Sequence, residues 1–363
     1  MYYGDLIGRH KTKVDTPALL LNIGAVERNI QKMAQFFADK PCQLRPHAKT
    51  HKLPLIAHKQ IEAGAIGITC AKLYEAKVFL ESGIKSVLIA NQVVGARQID
   101  WLVNLSSLGE LMVCIDSVDN ARQISKAAEQ RHRKIDYLLE INVGLNRCGV
   151  EPKEKALAML KRINKFKYLR FRGLMGYEGG MFVQNDEEKI KKCRQSNQLL
   201  VETREIIDRA GFPVQIVSAG GSNTYNLTGV FPGITEIQVG SYATMDYHNS
   251  CFGLEFEQAI TVLASIISRP EKSRAIMDTG KKSLSTDEGL PVCILPGIRI
   301  SNLNEEHGHL ELENDAPELK VGDKIEIIPS HGCTTIPYFN HYFLTRSDMV
   351  ESIVEIPTRK TML

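Results

Sequence analysis

The sequence holds no uninterrupted apolar run near the ~20 residues of a membrane span, so no spanning segment is expected. Its start, Met1-Tyr2-Tyr3-Gly4-Asp5, shows no charged region followed by an apolar stretch, so no secretory signal is visible. Net charge is only +3, from 45 basic and 42 acidic residues scattered along the chain, which argues against a nucleic-acid partner. Eight cysteines (Cys42, Cys70, Cys114, Cys148, Cys193, Cys251, Cys293, Cys333) form no paired framework. Several lie in apolar, strand-like runs where cysteine behaves as a small hydrophobe, so reduced thiols and a cytoplasmic setting are expected. Low-complexity segments, heptad seams and long linkers are missing, and no Gly-x-Gly-x-x-Gly opens the first strand-helix unit. What remains is an ordinary globular composition, 43% hydrophobic and 24% charged, over 363 residues, enough for two domains.

From about residue 43 to 244, β-rich runs alternate with helical spacing. Strands are expected over 44–49, 67–70, 86–91, 111–116, 135–142, 169–177, 214–219 and 235–240, with helices such as 53–63, 72–82, 118–130, 152–165 and 186–210 between them. Eight such strands point to a closed parallel (β/α)8 barrel of TIM type. An open doubly wound sheet is the alternative, disfavoured by the count and by the missing glycine motif. After about residue 255 strands expected over 262–268, 274–278, 290–294, 310–312 and 324–328 follow one another without long helices. This predicts an all-β second domain, which the N-terminal strand over 16–22 joins. The expected division is a barrel over 23–254 and a β-domain over 1–22 and 255–363.

Chemistry in such a barrel sits at the C-terminal strand ends. The first strand ends in Arg45-Pro46-His47-Ala48-Lys49-Thr50-His51-Lys52. Neighbouring positive charge and partial burial both disfavour a protonated ammonium, so Lys49 is a candidate for Schiff-base chemistry. Taken alone, the run equally reads as a solvated basic loop. The loops after the seventh and eighth strands, Ser218-Ala219-Gly220-Gly221-Ser222-Asn223-Thr224-Tyr225 and Gly240-Ser241-Tyr242, offer backbone N–H groups and hydroxyls suited to a phosphate. A phosphate site opposite an aldehyde-capturing lysine describes pyridoxal phosphate (PLP). In an extended segment the side chains of His331 and Cys333, two positions apart, point to one side, and imidazole with thiolate suits zinc. A buried cysteine beside a turn histidine is the plainer reading of that pair.

Taken in order, these motifs resemble a known family. They are the His-Ala-Lys-Thr-His-Lys run, Ser218-Ala219-Gly220-Gly221, Gly240-Ser241-Tyr242, Asp278-Thr279-Gly280-Lys281-Lys282, Glu305-Glu306-His307-Gly308 and Pro329-Ser330-His331-Gly332-Cys333-Thr334. The family is the D-threonine aldolase and D-serine dehydratase-like group of fold-type III PLP enzymes, with alanine racemase a more distant relative. The resemblance implies an alanine racemase-like barrel plus a β-domain, and a homodimer. It implies a Schiff base on Lys49, with Arg147 and Tyr177 flanking the cofactor ring and Ser222, Asn223, Gly240, Ser241 and Tyr242 near its phosphate. A divalent metal would bind His331 and Cys333. One departure stands out: many relatives have Gly-Thr-Gly where this chain has Gly221-Ser222-Asn223.

The implied substrate is a D-β-hydroxy amino acid. Within the family, His-x-Cys resembles the zinc dehydratase branch and His-x-Asp the manganese or magnesium aldolase branch. Cys333 therefore favours a dehydratase, of D-serine or 3-hydroxy-D-aspartate type, over an aldolase giving glycine and an aldehyde. A racemase would not need the metal motif, and a non-catalytic PLP carrier would not need the β-domain. His47 and His51 flank Lys49 and read equally as tuning groups or as partners of backbone carbonyls. His307 is a candidate near the metal, Asp287 and Lys282 sit in a loop that could cross a dimer interface, Trp101 reads as a helix packing residue, and Lys189–Lys192 reads as a solvated helix face.

Overall fold

The computed structural model describes residues 3–179 and 186–359; Met1 and Tyr2 of the opening run above lie outside the described residues. Contacts divide the chain into two units, one built from Met1–Gln31, Thr50–Lys52 and Ser241–Lys360, the other from Lys32–Lys49 and Leu53–Gly240.

After β1 (Ala18–Asn22) and α1 (Ile23–Phe37), the second of these units contains β2 (Gln43–Leu44), β3 (Ile68–Cys70), β4 (Ser86–Ile89), β5 (Glu110–Ile115), β6 (Ile135–Glu140), β7 (Leu169–Gly176), β8 (Ile216–Ala219) and β9 (Glu236–Ile237). They pair in parallel in the order β2-β9-β8-β7-β6-β5-β4-β3. A parallel bridge between His47 and Thr69 joins the two ends of that path, as do hydrogen bonds from Ile66 N to Leu44 O and Thr69 N to Pro46 O. The ring is closed, as the strand count predicts. β2 is shorter than expected because Pro46 has no N–H for the ladder. The pairing resumes beside it, with Arg45 N and His47 N donating to Ile237 O and Val239 O. Helices α2 (Pro54–Glu62), α3 (Leu73–Glu81), α4 (Ala96–Leu105), α5 (Val118–Glu129), α6 (Glu154–Ile163), α7 (Asp186–Arg209) and the short α8 (Tyr225–Thr228) follow β2 to β8 in turn. Trp101 is half-buried within α4.

Strand alternation layers the barrel interior. Leu88, Met112, Cys114, Leu138 and Met175, from four adjacent strands, form one buried cluster. At the N-terminal ends the layer is polar. Arg45 pairs with Glu236 at 3.0 Å and donates to Ser86 Oγ at 2.8 Å; Ser86 donates to Glu110, and Arg172 bridges Glu110 and Asp136. Two positions after Leu138 and Cys114, towards the C-terminal ends, stand Glu140 and Asp116.

The other unit is a mixed sheet. It uses β1 with β10 (Ile260–Glu271), β11 (Arg274–Met277), β12 (Val292–Cys293), β13 (Ile298–Leu303), β14 (Gly308–Leu312), β15 (Lys324–Ile328), β16 (His341–Arg346) and β17 (Met349–Glu355). β1 lies inside this sheet, antiparallel to β10 (Leu19 opposite Val262) and parallel to β16 (Leu20 opposite Phe343). Leu20, Leu263, Phe343 and Val350 are buried together, which explains why the N-terminal strand joins the C-terminal half of the chain. Three of these strands, β13, β16 and β17, were not among those expected. Two short helices, α9 (Tyr247–Ser250) and α10 (Gly332–Thr335), complete the unit.

Candidate active site

In the barrel unit the predicted residues gather at the C-terminal strand ends. Arg45, His47 and Lys49 alternate along one side of an extended run. Arg45 is buried at the opposite end of the barrel by its pairing with Glu236, whereas Lys49 is exposed. The argument from burial is therefore corrected, because Lys49 is exposed, and of the four basic groups around it in sequence Arg45 is neutralised by Glu236 at the other end of the barrel. Lys49 N donates to His47 Nδ1 at 3.4 Å, so His47 faces this backbone.

After β6, Asn142 Oδ1 accepts from Gly144 N and Asn146 N, which shapes the loop that carries Arg147. The Arg147 guanidinium carbon stands 5.4 Å from the Tyr177 ring centroid. Glu140, Arg147, Cys148 and Tyr177 line one small cavity here. Burial raises the Glu140 pKa, opposed by the Gln92 amide at 2.5 Å and the Arg147 charge.

After β8, Gly220 has φ +76°, and a Cβ there would meet Ile237 Cγ1 at 2.7 Å, so only glycine makes this turn. The turn leads into buried Ser222 and Asn223, and Gly240 N donates to Ser222 Oγ at 3.1 Å. Beneath it, Glu178 accepts from Thr224 Oγ1 (2.5 Å), Thr228 Oγ1 (2.9 Å) and Gly220 N (3.2 Å). Burial raises the Glu178 pKa. A glycine turn, a buried hydroxyl and a buried amide form a pocket floor whose chemistry fits a phosphate. Lys189 corrects the solvated-face reading: it is buried and donates to Asn223 Oδ1 at 3.2 Å, while Lys191 and Lys192 are exposed.

The strand unit holds the metal motif. His331 is extended (φ −134°, ψ 114°), but Gly332–Thr335 turns into α10, so Cys333 is not on the same extended segment. The two side chains nevertheless act on each other, Cys333 helping to raise the His331 pKa. Asp246 fixes the turn by accepting from Gly332 N at 2.8 Å. Asp287, in the loop read as able to cross a dimer interface, accepts from His331 Nδ1 at 2.7 Å and is held by Ser285 (2.6 Å) and Thr334 (3.0 Å). Burial works to lower the His331 pKa, but Cys333 and Asp287 outweigh it and hold it up at about 10. Burial works to raise the Asp287 pKa, but its partners bring it below the usual carboxylate range. Donor atoms of Asp287, Glu288 and His331 lie within 4.8 Å of one another. A nitrogen, a thiol and carboxylates form a donor set that fits a zinc-type ion. The Cys333 thiol also donates to Thr50 Oγ1 at 3.5 Å.

Ser241 donates to Asn249 Oδ1 at 3.1 Å, and Tyr242 is buried edge-on to Phe256. His51 is buried and its carbonyl accepts from Tyr342 OH. His307 is exposed at the β13–β14 turn, and Lys282 pairs with Glu305 and Glu306. The acidic neighbours of His331 were missed as metal-side groups because 44 positions separate Asp287 from it. The Ser-Thr-Asp-Glu-Gly run at 285–289 is an unremarked loop composition.

Comparison with known proteins places this geometry in context. The chain matches the family model for the alanine racemase N-terminal domain over residues 21–248, and that for a putative serine dehydratase domain over residues 259–345. A D-threonine aldolase from Arthrobacter sp. is 34% identical over 354 residues, covering 96% of this chain and 93% of the relative. The crystal structure of D-threonine aldolase from Filomicrobium marinum matches with a TM-score of 0.95 and 35% identity, covering 98% of each chain. A cysteine-to-alanine variant of a D-threo-3-hydroxyaspartate dehydratase, solved in a metal-free form, matches with a TM-score of 0.86 and 26% identity, covering 95% of this chain and 98% of that one.

Proposed function

The chain belongs to the family of PLP-dependent lyases that join an alanine racemase-like barrel to a serine dehydratase domain, and from that premise we propose that it is a zinc-dependent dehydratase of D-β-hydroxy amino acids. The products would be a 2-oxo acid and ammonia, from D-serine or 3-hydroxy-D-aspartate. The observation that carries this reading is the His331–Cys333 pairing, because thiolate selects zinc where a carboxylate suits harder ions.

When bound, the cofactor supplies an electron sink at the substrate α-carbon and the metal supplies a Lewis acid for the β-hydroxyl. Lys49 Nζ would hold the cofactor aldehyde carbon and then take the α-proton. Arg147 and Tyr177 would flank the ring, and Ser222, Asn223, Gly240, Ser241 and Tyr242 would hold the phosphate. His331 and Cys333 would hold the metal. His331 Nδ1–H donates to Asp287, which would leave Nε2 for the ion. In this reading residues 23–254 bind PLP and residues 1–22 with 255–363 carry the metal. The family-model spans support that division.

The protein is read as cytoplasmic, supported by eight unpaired cysteines. Among the described residues no helix is long and apolar enough to cross a membrane. A homodimer is part of the proposal, and sedimentation velocity showing a monomer would remove it.

A second reading has its own support. The aldolase relatives are more similar, at 34% and 35% identity against 26% for the dehydratase. That reading is a D-threonine aldolase-type cleavage with manganese or magnesium. Product analysis on D-serine, D-threonine and 3-hydroxy-D-aspartate separates the two. Ammonia with a 2-oxo acid is expected, abolished by chelator and restored by zinc. Glycine with an aldehyde would replace the dehydratase by the aldolase. Turnover that survives chelation would point to a racemase.

A further inference from the structure

Glu178 is 5% exposed and stands just past the end of β7. Its carboxylate accepts three hydrogen bonds: Oε1 takes the hydroxyls of Thr224 and Thr228, and Oε2 takes Gly220 N. Both hydroxyls have a fixed direction. Thr224 Oγ1 accepts from Gly221 N at 3.3 Å and Thr228 Oγ1 accepts from Asn197 Nδ2 at 3.1 Å, so the proton of each is left for Glu178. Three donors converging on one side chain call for two acceptor oxygens, which a carboxylate supplies and an amide does not.

The turn after β8 is drawn inward by this network. Gly220 N–H reaches Glu178 directly, and Gly221 N–H reaches it through the Thr224 hydroxyl. The two glycine N–H groups, which the sequence offers as donors to an anion, are therefore engaged inside the barrel unit. The glycines serve the turn, and the donors to a phosphate come from the residues that follow it. Tyr177, immediately before Glu178, lies against the same turn: a Cβ on Gly221 would fall 3.5 Å from its ring. Two consecutive residues thus bracket one loop.

We propose that Glu178 is a positioning residue for the cofactor phosphate: it takes up both glycine N–H groups, one directly and one through Thr224, and so sets the turn that presents Ser222 and Asn223 to the anion. The role rests on reading the Gly220–Asn223 turn as a phosphate cradle.

The test uses the full chain freed of cofactor. Affinities for PLP and for pyridoxal, which lacks the phosphate, are measured by fluorescence. Glu178→Met removes all three acceptors. It should lose about 10- to 100-fold in PLP affinity, the size of one or two hydrogen bonds to a charged group, with pyridoxal affinity within about twofold of wild type. Glu178→Gln keeps the shape and one oxygen and should recover part of the PLP affinity. A carboxylate that merely stood near the phosphate would repel it, and its removal would tighten PLP binding. A gain in PLP affinity in either variant would therefore overturn the proposal. Equal losses for PLP and pyridoxal would mark a merely structural role and overturn it too, as would no loss at all. If Glu178→Met does not fold, Thr224→Val is the second variant. It keeps the side-chain shape and cuts only the link from Gly221 N to Glu178, so it should fold and lose PLP affinity selectively; unchanged PLP affinity, or an equal loss for pyridoxal, would overturn the proposal. Should the wild-type chain bind PLP no better than pyridoxal, the cradle reading itself falls.

Discussion

Asp287 acts on His331 by accepting from its Nδ1 at 2.7 Å, which orients the ring with Nε2 towards Cys333. For His331 the consequence is measurable without turnover. Asp287→Asn should keep the fold, since the side chain is 40% exposed in its loop and the amide is of the same size. It should weaken zinc binding about tenfold or more, the usual scale for a carboxylate behind a metal-binding histidine. Chelator competition on the cofactor-free chain measures this, and an unchanged zinc affinity would detach Asp287 from the metal. At this scale the sequence was partly legible. His331 and Cys333 are neighbours in sequence, so their chemistry could be read, although through an extended geometry that the turn into α10 replaces. Asp287 could not be found, because its partnership depends on a loop closing over 44 positions. Lys189 was misread because a lysine run on a helix is usually solvent-facing, and only the fold turns one of its members inward. Asn223, where the resemblance leads one to expect glycine, is that lysine's partner.

Among elements, β7 carries the sharpest constraint. Its pairing with β6 slips between Phe171 and Gly173, and Gly173 sits at φ +157°. A Cβ there would fall 1.9 Å from Ile216 O on β8. Gly173→Ala must therefore push β8 away or break the bulge. A loss of about 3 kcal/mol or more is expected in urea unfolding, or no soluble protein at all. Stability within about 1 kcal/mol of wild type would show that β8 yields easily. The eight barrel strands were legible because buried parallel strands are short apolar runs separated by helical spacing. In the strand unit, β13 did carry an alternation, with Ile298 and Ile300 buried on either side of exposed Arg299, and it could have been found. β16 and β17 pair with a register shift, which blurs the alternation that marks a strand.

For the whole barrel, charge is sorted by end. The N-terminal mouth is a linked network from Glu236 and Arg45 through Ser86 and Glu110 to Arg172 and Asp136, which reads as stability, although the buried Glu236 Oε1 has no hydrogen-bond partner among the described residues. Arg45→Met leaves the Glu236 carboxylate, 2% exposed, without its cation. A loss of about 3–5 kcal/mol is expected from thermal or denaturant unfolding, with cofactor affinity unaffected in the fraction that folds. A smaller loss would mean that water reaches the mouth. The eight-fold repeat made the closed ring legible in advance, but not this sorting. Arg45 and Lys49 are four positions apart and look like one cluster until the strand separates them.

The three residues after Lys49 are fastened at several points. Tyr342 donates to the His51 carbonyl, Thr358 donates to the Lys52 carbonyl, and Lys52 itself sits at φ 58°. A graft that took the barrel sequence alone as a portable module would carry the reactive amine but leave behind the hydroxyls that pin the backbone beside it.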